Sequence, residues 1–337
     1  MTGRVSRAGL ARAFGVFVPL TLAPFVFSQH WVVNIGIFVV MYAALATAWN
    51  LIGGFSGYLS LGHVAFFGLG AYANALVFQH LGLAAGYGPF LMVPLIAVGV
   101  ALVSIPIGWL ALRTRAATFA IVTLTLVFVG QQLAFNLHSL TGGSSGTSMP
   151  LPPFALAHYE LPFYLVMLGV FALAMLVCWW VRDSYLGLLL FAIRDDEDRA
   201  RGLGVHTTAV KVAALAVSAG LVGMAGAVWA YYIGFIYPQF AFDPLITIGM
   251  VLMAYLGGKG TLWGPALGAF ILVPAQQYLA YRLGASELYL VGYSAVFLVV
   301  MLLMPRGILP SLADRLSARR GGARPAAPDS GEAVPAR

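Results

Sequence analysis

Residues 89–112 read PFLMVPLIAVGVALVSIPIGWLAL, and Arg113, Thr114 and Arg115 follow at once. The whole stretch carries no charge and one hydroxyl, Ser104. A bilayer core about 30 Å thick is crossed by roughly 20 apolar residues in a helix. The two arginines mark where the crossing stops and on which side, because Lys and Arg are retained in cytoplasmic loops. Working outward in both directions, the same reading gives ten spans: 13–28, 31–52, 58–79, 89–112, 117–136, 161–181, 211–235, 244–257, 262–280 and 288–304. Span 244–257 is short and reads as a half-helix or re-entrant segment sheltered inside the protein.

Composition excludes a soluble fold. Hydrophobic residues make up 61% of the 337 positions and charged residues only 9%, against about 25% charged in a soluble domain. The net charge of +7 does not point to nucleic acid, since the chain has no basic face with interleaved aromatics. Instead the charge is sorted by side. With the N-terminus inside and the spans alternating, eleven basic residues fall in inside segments: Arg4, Arg7, Arg12, Arg113, Arg115, Arg182, Arg194, Arg199, Arg201, Lys211 and Lys259. Six more lie in the tail, which makes 17 of the 18; only Arg282 falls outside. The expectation is an all-α polytopic membrane protein of about ten transmembrane helices with both termini cytoplasmic. Residues 1–310 form the membrane domain, and 311–337 a disordered, basic cytoplasmic tail. The first span follows three arginines like a signal peptide but lacks a small-x-small cleavage site, so it reads as uncleaved. Cys178, the only cysteine, reads as a small buried hydrophobe.

Enzymatic and self-powered readings find little support. The only Gly-Lys pair, Gly258-Lys259, is followed by Gly260, and Met253 stands where a Walker A motif needs its first glycine. No His-Glu-x-x-His occurs. The spans hold no Asp, Glu or Arg, and Lys only at the boundary position 211. A proton-coupled carrier normally keeps an ionisable group at mid-membrane. His63 is the one histidine within a span, and a packing role fits it better than a pathway role.

The densest charge lies in the inside segment 182–210. Arg194, Asp195, Asp196, Glu197, Asp198, Arg199, Ala200, Arg201, Gly202, Leu203 and Gly204 run with acids first and bases last. That order suits the dipole of a short surface helix over 195–201, with Gly202 or Gly204 able to take a left-handed cap. Such a helix between two spans can dock a cytoplasmic partner. A solute pathway is expected near polar groups of the span 2–3 turn and span 5, namely Asn50, Ser56, Ser60, His63, Thr123 and Thr125, because polar groups in spans need partners or water. The pairs Gly53-Gly54 and Gly257-Gly258 echo one another, each read as opening a Gly-rich helix.

Several segments in order resemble a known family. Residues 45–72 (LATAWNLIGGFSGYLSLGHVAFFGLGAY), 119–124 (FAIVTL), 141–146 (TGGSSG), 192–195 (AIRD), 218–227 (SAGLVGMAGA) and 257–269 (GGKGTLWGPALGA) are similar to the permeases of bacterial branched-chain amino-acid ABC importers, and to the longer of the two paired permeases. The resemblance covers 31–310. It implies a bacterial inner-membrane importer assembled from this chain, a sister permease, two cytoplasmic ATPases and an external solute-binding protein. ATP would be used by those partners, and no cofactor is expected in this chain. It implies that 194–204 couples to the ATPase, through Arg194, Asp195, Asp196, Arg199, Arg201, Gly202 and Gly204. Two departures stand out: Leu188 and Leu189 replace a frequent basic residue after Gly187, and Asp198 and Arg199 stand where small or apolar residues are usual. Urea and short-chain amide importers use the same permease type, which makes them the alternative; a self-powered secondary carrier is more remote.

Overall fold

The computed structural model describes residues 7–26, 29–81, 86–155, 159–283, 294–295, 298–299, 302 and 307–312. Among these, α1 spans Arg7–Val26, α2 His30–Gly53, α3 His63–Leu81, α4 Gly88–Ala111, α5 Ala116–Asn136, α6 His138–Thr141, α7 Glu160–Asp183, α8 Tyr185–Asp195, α9 Glu197–Gly202, α10 Thr207–Ile233, α11 Pro238–Ala241, α12 Pro244–Gly257 and α13 Gly264–Leu283. Strands β1 (Thr147–Ser148) and β2 (Phe235–Ile236) form one antiparallel pair. Helix dominates because lipid offers no partner for backbone N–H and C=O groups, so each segment must satisfy its own.

Nine of the ten expected spans fall on helices among the described residues. Six segments are long and apolar enough to cross a membrane: His30–Gly53, Gly88–Ala111, Ala116–Asn136, Glu160–Asp183, Thr207–Ile233 and Pro238–Gly257. The tenth span, 288–304, and the tail, 311–337, lie largely outside the described residues.

Helix α10 is the axis, packed on α2, α3, α4 and α7. Its contact with α3 depends on missing side chains. A Cβ on Gly226 would stand 2.8 Å from the carbonyl carbon of Phe67, and one on Gly70 would stand 2.7 Å from that of Gly223. In lipid, close approach of backbones replaces hydrophobic burial as the source of helix association.

The structure corrects several expectations. Span 58–79 does not begin as a helix: residues 54–62 are irregular, and α3 starts only at His63. Gly57 (φ +76°) takes a backbone conformation that disfavours other residues. Gly53 and Gly257 do not open helices; each is the last residue of one, α2 and α12. Between α5 and α7 lie α6, a 3-10 turn at Gly143–Ser145, and β1 tied to β2. The charged segment is not one helix. Asp195 ends α8, Asp196 is extended, and α9 follows, with Asp196 accepting from Arg199 N–H at 3.0 Å as its N-cap. Gly204, not Gly202, takes the left-handed conformation (φ +86°).

Helix α12 is itself only 14 residues long, though together with α11 it makes the Pro238–Gly257 segment. Thr247 accepts the Val64 N–H at 2.9 Å at the start of α3. Phe242, just before α12, lies against Gly68 of α3 and Gly130 of α5. Gly130 is about 21 Å along α5 from Ala116 at 1.5 Å per residue. So α12 begins within the bundle and runs only to its basic end, the end that carries Arg113, Arg115, Arg182, Arg194, Lys211 and Lys259.

Candidate functional site

Five of the six polar residues singled out in the sequence meet at the basic end. All five are buried, and each is engaged by the protein itself. Asn50, near the end of α2, accepts from Gly260 N–H at 2.8 Å and donates to Thr261 O at 2.9 Å. It joins the α2–α3 turn to the α12–α13 turn, so the two glycine pairs that echo in sequence are neighbours in space. Ser56 donates back to Ile52 O at 2.7 Å. Ser60 O accepts from the Trp49 indole at 2.8 Å, and Thr123 Oγ1 accepts from Leu61 N–H at 3.0 Å. Irregular backbone inside a membrane protein persists only with partners of this kind.

His63 is held at both nitrogens. Nδ1 is 2.8 Å from Ser60 Oγ and Nε2 is 2.8 Å from Ser218 Oγ. Ser218 donates its single proton to Ala48 O at 2.6 Å. It must therefore accept from His63, which assigns the proton to Nε2 and leaves Nδ1 to accept from Ser60. The string links α2, the 54–62 segment, α3 and α10.

The charged segment packs on this node. Arg194 Nη1 donates to Gly54 O at 3.3 Å. Glu197 is turned inward. Its carboxylate accepts from Lys211 Nζ at 2.7 Å and Arg201 Nη2 at 3.0 Å, and from the Tyr58 hydroxyl. Burial alone would raise its pKa, but the hydrogen bonds from Lys211 and Tyr58 outweigh this and hold the carboxyl below its ordinary value. Lys211, one of the inside charges by sequence, has a side chain only 1% exposed. Outward from α9 point Asp198 (89% exposed), Arg199 (86%) and the apolar Leu203 (86%). On α8, Tyr185 and Leu188 are exposed as well. Gly202 and Gly204 are exposed, and a Cβ would touch nothing at either.

Thr125 lies elsewhere. It belongs to an exposed stripe on α5: Thr118, Ile121, Thr125, Phe128, Gln132 and Asn136. These recur at helical spacing along one face. Sequence reasoning caught Thr125 but missed Thr118, Gln132 and Asn136, although their period was available. Residues 142–146 have a Gly-x-Ser-x-Gly spacing, but here the run follows α6 and makes a 3-10 turn. It is not the strand-to-helix elbow that presents a nucleophilic serine. Among the described residues, no group of three His, Cys, Asp or Glu side chains is placed to hold a metal.

Comparison with known proteins gives these features a context. Residues 31–305 match the family described as branched-chain amino acid transport system / permease component. The chain is 29% identical to the high-affinity branched-chain amino acid transport system permease protein LivM of Salmonella typhimurium, over 89% of this chain and 75% of that one. It is 28% identical to LivM of Escherichia coli over the same shares. It is 25% identical to E. coli LivH over 80% of this chain and 91% of that protein. No solved structure matches. A multi-pass helical bundle and a match across most of its length lead to one assignment: the chain belongs to the branched-chain amino acid transport system permease family, as a membrane-spanning permease subunit.

Proposed function

We propose that this chain is one of two paired permeases of an ATP-driven importer in a bacterial inner membrane, and that the imported solutes are leucine, isoleucine and valine. The names of its LivM and LivH relatives support the substrate class and the pairing. The sorting of basic residues supports cytoplasmic termini, with the basic end of the bundle and the tail 311–337 inside and residues 1–310 as the membrane domain. The chain lacks a Walker motif, so the energy comes from partner ATPases. A binding protein delivers the solute from the other side.

The observation that carries the ATP-driven reading is the two-faced α8–α9 segment. Its outer face offers exposed apolar residues beside charges of both signs, while its inner face is fastened to the end of α2, to the α2–α3 loop and to α10. A motor that grips the outer face moves the membrane helices. The solute pathway runs along the polar stripe of α5, against the sister permease, where the pathway is walled by side chains that would be poorly placed against lipid. The buried set of Asn50, Ser56, Ser60, His63 and Thr123 holds the inner end of that pathway in shape.

Ala200 provides the test. Its N–H donates to Asp196 O at 3.0 Å, opening the hydrogen-bond ladder of α9. Proline at this position removes that donor and clashes with the preceding turn, at a cost of about 3 kcal/mol locally. Ala200→Pro is expected to remain in the membrane and to lose stimulation of the ATPases by leucine-loaded binding protein. Full stimulation in the reconstituted variant complex would overturn the docking role of this segment.

A further inference from the structure

Within α9, neighbouring acids take opposite environments. Asp198 is almost wholly in solvent, whereas Glu197 is only 19% exposed. Glu197 meets two other elements at once. The Tyr58 hydroxyl, from the irregular segment 54–62, donates to one carboxylate oxygen. Lys211, from the first turns of α10, donates to the other at 2.7 Å. Lys211 Nζ also stands 4.0 Å from the centre of the Tyr58 ring, so the three side chains close a triangle. Beside it, the Arg194 side chain lies over Gly57, where a Cβ would meet its Cγ at 2.9 Å.

A buried ion pair is weak evidence for stability, because apolar side chains of similar volume often serve as well or better. Its better-attested use is to fix register between elements. Here the register fixed is that of a surface segment against a loop and a membrane helix. That loop ends at His63, and the end of α2 before it is tied through Asn50 to the α12–α13 turn. A displacement of α9 carried through this triangle reaches α10 directly, the ends of α2 and α3 through the loop between them, and α12 and α13 through Asn50.

We propose that Glu197 is a positioning residue of the transport cycle: it fastens α9 to Tyr58 and Lys211, so that movement imposed on the docking segment is delivered to the α2–α3 loop and α10 rather than lost at the surface. This rests on the docking reading above. It adds a separable step, since a partner could still grip α8–α9 and be stimulated while the membrane helices fail to follow.

The test uses the complete reconstituted complex and two numbers: ATP hydrolysis stimulated by loaded binding protein, and radiolabelled leucine carried per ATP hydrolysed. Tyr58→Phe removes one hydroxyl and keeps the ring beneath Lys211. It is expected to keep stimulated hydrolysis within about twofold of wild type and to lower leucine per ATP by about tenfold, the scale of one hydrogen bond to a charged group. Glu197→Gln should show the same split, and Glu197→Asp should recover part of the loss. Wild-type leucine per ATP in both Tyr58→Phe and Glu197→Gln would overturn the proposal. So would failure of both variants to assemble, which would make the triangle a folding element. The docking reading fails separately. If Ala200→Pro keeps full stimulation, docking itself is wrong; if Ala200→Pro loses stimulation while Tyr58→Phe transports normally, only the role of Glu197 falls.

Discussion

Helices α4 and α5 are consecutive and both lie at the edge of the described bundle, yet their outer faces differ in kind. On α4 the exposed residues are Leu91, Pro94, Leu95, Val98, Gly99, Leu102, Val103, Ile105, Pro106, Trp109 and Leu110. Its one hydroxyl, Ser104, is buried and bonded to Ala101 O at 2.7 Å. On α5 the exposed face holds Thr118, Thr125, Gln132 and Asn136 among its apolar residues. Thr125 and Asn136 return their donors to their own helix, to Ile121 O and Gln132 O; this lowers the cost of the stripe without making it apolar. Exposure in a membrane protein is thus ambiguous until chemistry is added. A face of Leu and Val meets acyl chains, and a face of Thr, Gln and Asn meets water, solute or another subunit.

The strongest way to break this contrast is to place the same charge on both faces at mid-span. Leu102→Arg puts a guanidinium against lipid, at a cost of about 2.5–3.5 kcal/mol. The membrane-embedded level of the protein should drop, as read by quantitative immunoblot of membrane fractions. Thr125→Arg should insert at near wild-type level and instead abolish leucine uptake. Equal loss from the membrane would mean that α5 also faces lipid.

A milder probe asks whether water reaches the stripe. Single cysteines at Thr118, Thr125 and Gln132 should react with a hydrophilic maleimide in the assembled complex at least about tenfold faster than cysteines at Leu95, Val98 and Leu102, because a thiol reacts only where it can ionise in water. Cys178 is buried and gives little background. Uniformly slow labelling would place a dry protein interface over α5.

The smallest expected effect sharpens the other side of the comparison. Ser104 bonds only within its own helix, so Ser104→Ala should shift thermal stability by less than about 1 kcal/mol and leave uptake intact. A larger loss would show that α4 carries a polar role its surface does not reveal.

What could be read from the sequence follows from where each signal is stored. The spans are written in long apolar runs, and the shortness of α12 is written in the few residues between Asp243 and Gly257, so both were legible. The burial of Cys178 followed from its apolar neighbours. The late start of α3 was not legible, because 54–62 is as apolar as a helix, and what keeps it irregular is supplied from elsewhere by Trp49 and Thr123. Helix α8 was missed because its run of Leu, Phe and Ile reads as the edge of a loop. The division of the charged segment at Asp196 is a capping event that a charge count does not register. Lys211 counts as a loop charge until Glu197 and Tyr58 fold over it. The α5 stripe was half legible: its period is in the sequence, but which residues lack neighbours is decided by α3, α4 and α11.

The stripe on α5 also bears on the life of the chain before it has a partner. A polypeptide that presents amides and hydroxyls to acyl chains is marked as incomplete. Membrane quality control acts on such features, so the orphan subunit should be short-lived when made alone and long-lived when made together with its sister permease. The face proposed to carry the solute would then also serve as a checkpoint on stoichiometry, concealed once the pair has formed.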